Sequence, residues 1–343
     1  MDFEDRVLYY DAFWHADGAR VLLGGPPQFN LSQAFRRARF AALPSGNPLV
    51  PETRISNSSS ITALAAPRGT TAVRLEFGAE RLDIPVRPNL GTAFADRRII
   101  TAMNRDNDLG WIAEWAGFHA RHHGGDAVAL FDNGSTRYAT GAIEATLAAV
   151  AGLKAVAVLA WPHKFGPVDP ATLNSPFWPR FLQIASLSVT LRRFAPLAAG
   201  LLDCDIDELA APTGGSIFAA AQRSRWGLVR LKGRWVPPVP ATGAPAAGRT
   251  HRHYPYRDPR ARKPSAGKWC LDPSRAWIAG NLGVHPYWHW IEGRPFAARF
   301  FDRQRFFWHF EAIHTGWKDK RVSPDGIDGG ALQIDDLLAS CWD

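Results

Sequence analysis

Apolar and polar positions change their rhythm along this chain near residue 96. Before it, short β-type runs such as Ala72-Val-Arg-Leu-Glu-Phe77 and Arg81-Leu-Asp-Ile-Pro-Val86 are broken by Gly, Pro, Asn and the Ser58-Ser-Ser60 patch. Residues 1–95 are therefore expected to form a small β-rich N-terminal domain, with one short helix over Leu31–Ala41, where Phe35 and Phe40 stand among arginines. After it, strand patterns and helix patterns alternate, the signature of an α/β unit with a mostly parallel sheet over 96–343.

In that second part the expected strands are Arg98–Met103, Ala127–Phe131, Lys154–Leu159 and Ala198–Leu202. Asn107 or Asp108 can cap a helix running to about His123, because Ile112, Trp115 and His119 then share one stripe at helical spacing. A second helix is expected over Gly141–Ala151, and a third, opened by Pro179, through Gln183 and Leu187 to Arg193. Val236–Gly248 is rich in Pro, Ala and Gly and leads into the basic stretch Arg249–Lys268. Together they predict a flexible basic loop over about 236–268, able to act as a lid.

Three polar clusters follow apolar strands directly: Asn104 to Asp108, Asp132 to Ser135, and Asp205 to Glu208. Ligands of open α/β sheets bind at the carboxyl ends of the strands, so these clusters should converge on one crevice. Asp-Asn-Gly-Ser is also ordinary turn chemistry. Asp205 and Asp207, two apart at a strand end, would project to the same side and offer oxygens jointly to Mg²⁺ or Mn²⁺. A solvated acidic loop is the alternative. His285 and His289 have a metal-pair spacing, but Pro286 stands where a zinc protease has its glutamate. Glu292, in the aromatic run Tyr287-Trp-His-Trp-Ile-Glu292, is the candidate general base, with Asp258 and Asp272 as rivals.

Composition narrows the class. With 46% hydrophobic and 21% charged residues the chain is an ordinary globular protein, which excludes extensive disorder. A net charge of +8 suits anionic partners: nucleotide diphosphates, acidic glycans or an anionic membrane touched peripherally. Nucleic acid is not an expected partner, since no binding motif is present and acids at strand ends would repel a phosphate backbone. Three distant cysteines predict reduced thiols. No apolar run reaches the roughly 20 residues of a membrane span, and the start of the chain is acidic. The expected location is cytoplasmic, or peripheral at the inner face of the membrane.

Taken in order, Asn104, Trp111-Ile-Ala-Glu-Trp115 with His119, Phe131-Asp-Asn-Gly-Ser-Thr136, Gln183, and Asp205-Ile-Asp-Glu-Leu209 resemble the GT-A-fold glycosyltransferases of the family 2-like and family 92-like group. The likeness continues into Lys268, Val284-His285 and Trp308-His309-Phe310 and covers about residues 97–318. The resemblance implies a GT-A domain and a metal-dependent, inverting transfer of sugar from a nucleotide-diphosphate donor to a glycan or lipid-linked acceptor, as in polysaccharide biosynthesis. It implies donor contacts from Asn104, Asp132, Asn133, Ser135, Asp205 and Lys268, and a divalent cation (Mn²⁺ or Mg²⁺) held by Asp205, Asp207 and His309. Asp207 thereby also serves catalysis, and Glu114 and Trp115 are architectural. The alternatives are a nucleotidyltransferase-like enzyme on a similar sheet and a basic nucleic-acid-binding protein.

Overall fold

Alternation of buried and exposed side chains before residue 86 folds eight strands into two small antiparallel sheets. The computed structural model describes residues 4–166, 180–261, 264–317 and 331–343. The strands are β1 (Asp11–Trp14), β2 (Arg20–Gly25), β3 (Arg39–Leu43), β4 (Pro48–Leu49), β5 (Pro51–Ile55), β6 (Ser60–Ala65), β7 (Ala72–Phe77) and β8 (Glu80–Pro85). They pair in the orders β1-β2-β6-β5 and β4-β3-β7-β8. Val21, Leu23 and Leu64 meet Phe40, Val73 and Leu75 between the two sheets. Their neighbours Leu22, Ile61 and Ala63 point the other way, into the main core. A period of two thus buries both faces of one sheet.

The helix expected over Leu31–Ala41 is shorter, Ser32–Arg37. Phe40 belongs instead to β3, where pairing with Leu75 of β7 satisfies its backbone and burial in the sandwich satisfies its ring.

The second part is built on an eight-stranded sheet. Its strands are β9 (Arg98–Asn104), β10 (Ala127–Asp132), β11 (Ala155–Ala160), β12 (Gly200–Asp203), β13 (Glu208–Ala210), β14 (Leu228–Val236), β16 (Ser265–Leu271) and β19 (Phe306–Phe310), in the order β11-β10-β9-β12-β16-β14-β19-β13. Short ribbons pair β15 (Tyr256–Arg257) with β20 (Gln333–Ile334) and β17 (His285–Pro286) with β18 (Ile291–Glu292). The α/β class holds, but the sheet is mixed. β11, β10, β9 and β12 are mutually parallel, whereas β16 runs against β12 and β14, and β13 against β19. Antiparallel neighbours need no crossover helix, which explains why helices are few in this half.

Asp108 caps the helix Leu109–His123 as expected, its carboxylate accepting from the Gly110 N–H at 2.8 Å. That helix packs on one face of the sheet together with Thr140–Ala148, Ile217–Arg223 and Asp336–Ser340. On the other face lies Phe181–Val189, which continues through a π-type turn, Thr190–Phe194. It is caught between the sheet and β2, so all nine of its residues are buried and its pattern is apolar almost all round.

The stretch expected to be a flexible loop over 236–268 is bounded more tightly. β14 carries order to Val236, β16 begins at Ser265, and Lys268 sits inside the sheet. Between them the turn His251–His253 is pinned: the His251 ring contacts the Ile206 carbonyl at 2.8 Å, and Arg252 pairs with Glu114. Arg252 is therefore committed to a helix and not poised over a ligand. Pro179, Arg262 and Lys263 lie outside the described residues. Among the described residues no helix is long and apolar enough to cross a membrane.

Candidate functional site

Parallel pairing puts the ends of β10, β9 and β12 side by side. Asp132 stands opposite Asn104, and Asp203 opposite Thr101, so the three polar clusters share one edge of the sheet. A pocket at this edge is lined by Met103 of β9, by Asn107 from the first cluster and by Asp205 and Asp207 from the third. Residues 313–317 form its other wall, and Thr315 donates to the Arg105 carbonyl across the rim at 3.2 Å.

The second cluster acts as a clasp. Asp132 is buried and both its carboxylate oxygens are engaged: Oδ1 accepts from Asn104 Nδ2 at 2.7 Å and from Ser135 Oγ at 2.5 Å, and Oδ2 from the Ser135 N–H at 3.0 Å. Ser135 Oγ in turn accepts from the Asp106 N–H at 2.8 Å. Asp106 adopts a left-handed φ of 56°, and its carboxylate accepts from the N–H groups of Thr136 and Arg137 at 2.7 and 2.9 Å. Aspartate tolerates that region because its short carboxylate can bond nearby N–H groups, as it does here. Asn133 points away, its amide donating to the carbonyls of Trp161 and His163 at 2.8 Å each. Of the four residues expected to contact a donor here, Asn104, Asp132 and Ser135 thus form one network, and Asn133 fastens the turn to the end of β11.

The third cluster is not the extended pair the alternation suggested. β12 ends at Asp203, and Asp205 to Glu208 is a turn closed by a Glu208 N–H to Asp205 carbonyl bond of 2.9 Å. The turn sends the two aspartates to different partners. Asp205 is held by Lys268 Nζ at 2.7 Å and by Gln183 Nε2 at 3.2 Å. Asp207 faces His309, with Oδ2 at 3.2 Å from Nε2. Glu208, not singled out as a ligand from sequence, bridges the two sides. Its Oε2 accepts from the Asp205 N–H at 2.8 Å and lies 3.2 Å from Lys268, and its Oε1 is 3.6 Å from His309 Nδ1.

Asp207, Glu208 and His309 each offer a ligand atom within 4.8 Å of the others. Of the cation set expected from sequence, Asp207 and His309 are grouped here with Glu208, while Asp205 lies against Lys268 on the other side of the turn. Two carboxylates and an imidazole are a donor set that suits Mn²⁺ better than Mg²⁺, which prefers oxygen throughout. The His309 ring is held in place: Trp235 stacks on it at 4.3 Å, and Ser265 Oγ lies 2.5 Å from Nδ1. Neither residue carried a sequence signal, because both reach His309 across strands far apart in the chain.

Lys268 is fully buried with Asp203, Asp205 and Glu208 around it. Burial alone would pull its pKa down, but the three carboxylates outweigh burial and hold the ammonium well above its ordinary value. Burial raises the Glu208 pKa, with the neighbouring aspartates adding to the rise against Lys268. Lys268 is thus an internal counter-ion for the acids and not a group reaching into the pocket.

Two buried histidines set the far side of this turn. His119 bonds the Trp115 carbonyl through Nδ1 at 2.9 Å and accepts from the Ala210 N–H through Nε2 at 3.2 Å. His123 contacts the Ala210 carbonyl through Nε2 at 2.8 Å. Burial drives His119 down to about 3 and His123 to about 4, so both are neutral and lock β13, the strand that opens with Glu208, onto the helix.

Glu292 stands apart from this group. It pairs with His285 in the β17–β18 ribbon; burial raises its pKa while a hydrogen bond with Tyr287, whose own neighbours are Ser56 and Ser58 of the N-terminal part, pulls the other way. Asp258 is paired with Arg260, and Asp272 with Ser274 and Arg275. His289 lies nearer, its ring against the Gly267 carbonyl at 2.8 Å and within reach of the charges of Lys268 and Asp205. No protein-family model matches the chain, and no curated protein matches it significantly.

Proposed function

We propose that this chain is a metal-dependent glycosyltransferase that moves a sugar, with inversion, from a nucleotide-diphosphate donor to a glycan or lipid-linked acceptor. The observation that carries the reading is the grouping of Asp207, Glu208 and His309 beside the pocket at the shared carboxyl edge of β9, β10 and β12. Supporting it, the parallel half β11-β10-β9-β12 has helices on both faces, the arrangement in which nucleotides bind at strand ends. In this reading that half is the nucleotide-binding part of a GT-A domain.

Asp207, Glu208 and His309 would hold the cation, which when bound neutralises charge on the donor diphosphate. Asp205, fixed by Lys268 and Gln183, presents its carboxylate edge to the ribose. The Asn104–Asp132–Ser135 clasp shapes the wall for the base. The segment 313–317 closes the pocket from the side and limits the water that would otherwise hydrolyse the donor.

The test is consumption of UDP-, GDP-, CMP- and dTDP-sugars with Mn²⁺ present. One nucleotide class should be turned over, and Asp207→Asn should lower the rate about a hundredfold or more, as when one preorganised charge-stabilising group is removed. Full turnover in excess EDTA, or no turnover of any donor with metal present, would overturn the reading.

A further inference from the structure

Away from the pocket, one surface carries aromatic rings that the fold leaves uncovered. The turn Phe296–Arg299 is seated by Ala298, which is buried in the main core, while Phe296 and Phe300 project with 71% and 64% of their surface exposed. Exposed phenylalanines spaced four apart at a fixed turn are unusual in a soluble chain, where large apolar groups standing out together mark a contact surface.

The rings are set among cations. Arg299 lies over both, its guanidinium carbon 3.5 Å from the Phe296 centroid and 4.9 Å from that of Phe300. Arg230 donates to the Arg299 carbonyl and covers Phe301 at 4.2 Å, with Lys232 beyond it at 5.9 Å. Burial and then Arg294 push the Arg230 pKa below the usual guanidinium range, and burial and then Arg299 do the same to Arg294. These three arginines therefore repel one another. Asp302, the acid beside them, is bound to Arg305. A shallow pocket of about 330 Å³ between Arg223, Arg230 and Phe300 adjoins the group.

The geometry points to an anionic lipid bilayer as the partner of this surface: Phe296 and Phe300 dip into the interface while Arg294, Arg299 and Lys232 meet lipid phosphates. Aromatic groups immersed beside a basic cluster are the two signals that stable peripheral attachment requires. A nucleic acid fits less well, because base stacking needs open ring faces and Arg299 lies over these. The surface is also close to the crevice, since Arg230 donates to the His289 carbonyl at 3.1 Å and the His289 ring senses Lys268 and Asp205. The inference stands without the proposed activity, as attachment needs neither metal nor donor.

Flotation of the full chain with vesicles of phosphatidylcholine, with and without phosphatidylglycerol, tests it. The chain should bind the anionic vesicles and release from them as salt rises. Phe296→Ala combined with Phe300→Ala should cut partitioning about tenfold or more. Arg299→Gln and Lys232→Gln should each cut it by up to about fivefold, with unchanged circular dichroism. Equal binding to neutral and anionic vesicles would overturn the inference. So would folded variants that bind like the parent, or variants that lose affinity for single-stranded RNA while keeping it for vesicles.

Discussion

Lys268→Met should destabilise the fold by about 3–5 kcal/mol, the loss expected when one partner of a buried ionic group is removed and the other charges stay behind. Asp203, Asp205 and Glu208 would then share a desolvated site without their ammonium. Methionine matches the lysine stem, so the loss reports charge and not a cavity. Combining Lys268→Met with Asp205→Asn should recover part of it, because the two residues act on each other directly. Urea unfolding of the parent and both variants measures these differences. A shift within about 0.5 kcal/mol, the range of an ordinary surface change, would mean that the ammonium does not hold this acidic turn together.

The second large effect is acid sensitivity above the carboxylate range. Burial depresses the pKa of His119 and His289 to about 3 and that of His123 and His285 to about 4, from an ordinary 6.5. The folded state therefore keeps these rings neutral while the unfolded chain takes up protons. Their contribution is complete above pH 6.5 and is lost as pH falls from there towards 4. Each ring should remove about 1 kcal/mol between about pH 6.5 and about pH 5.5. The raised pKa values of Asp11, Glu208 and Glu292 act in the opposite direction at the lower end of that window. Urea midpoints should fall clearly between about pH 7 and about pH 5.5, and His285→Gln should flatten the slope. A midpoint that holds or rises on acidification would contradict four neutral histidines in the core.

The parallel half of the sheet was legible because its strands are near-continuous apolar runs, three of them followed by clusters of polar residues. The Asp108 cap and the stripe of Ile112, Trp115 and His119 were legible for a similar reason, since both are local in sequence. The other half was not. β16 carries a lysine that reads as part of a basic surface run, yet Lys268 is buried because three acids from a distant turn surround it. Phe40 read as helical because its arginine neighbours hid a strand whose partner lies more than thirty residues away in β7.

The acidic turn illustrates the same limit inside the site. Asp205 and Asp207 were recognisable as a pair by spacing, but spacing presumes an extended backbone. The Glu208 N–H bond to the Asp205 carbonyl bends the chain there and divides their roles. Glu208 gains its place from that bend, and His309 from the pairing of β19 with β13, which sets His309 opposite Glu208. Ser265 and Trp235, which fix the His309 ring, come from two further strands.

The proposed cation site is tested most directly by titrating Mn²⁺ and following the paramagnetic resonance of the free ion, which disappears on binding. The account predicts one site per chain in the parent, lost in Asp207→Asn and in His309→Ala but kept in Glu292→Gln, since Glu292 belongs to the β17–β18 ribbon and not to the grouped ligands. If the parent leaves all the Mn²⁺ free, or if Asp207→Asn binds it as tightly as the parent, then Asp207, Glu208 and His309 are not a metal centre.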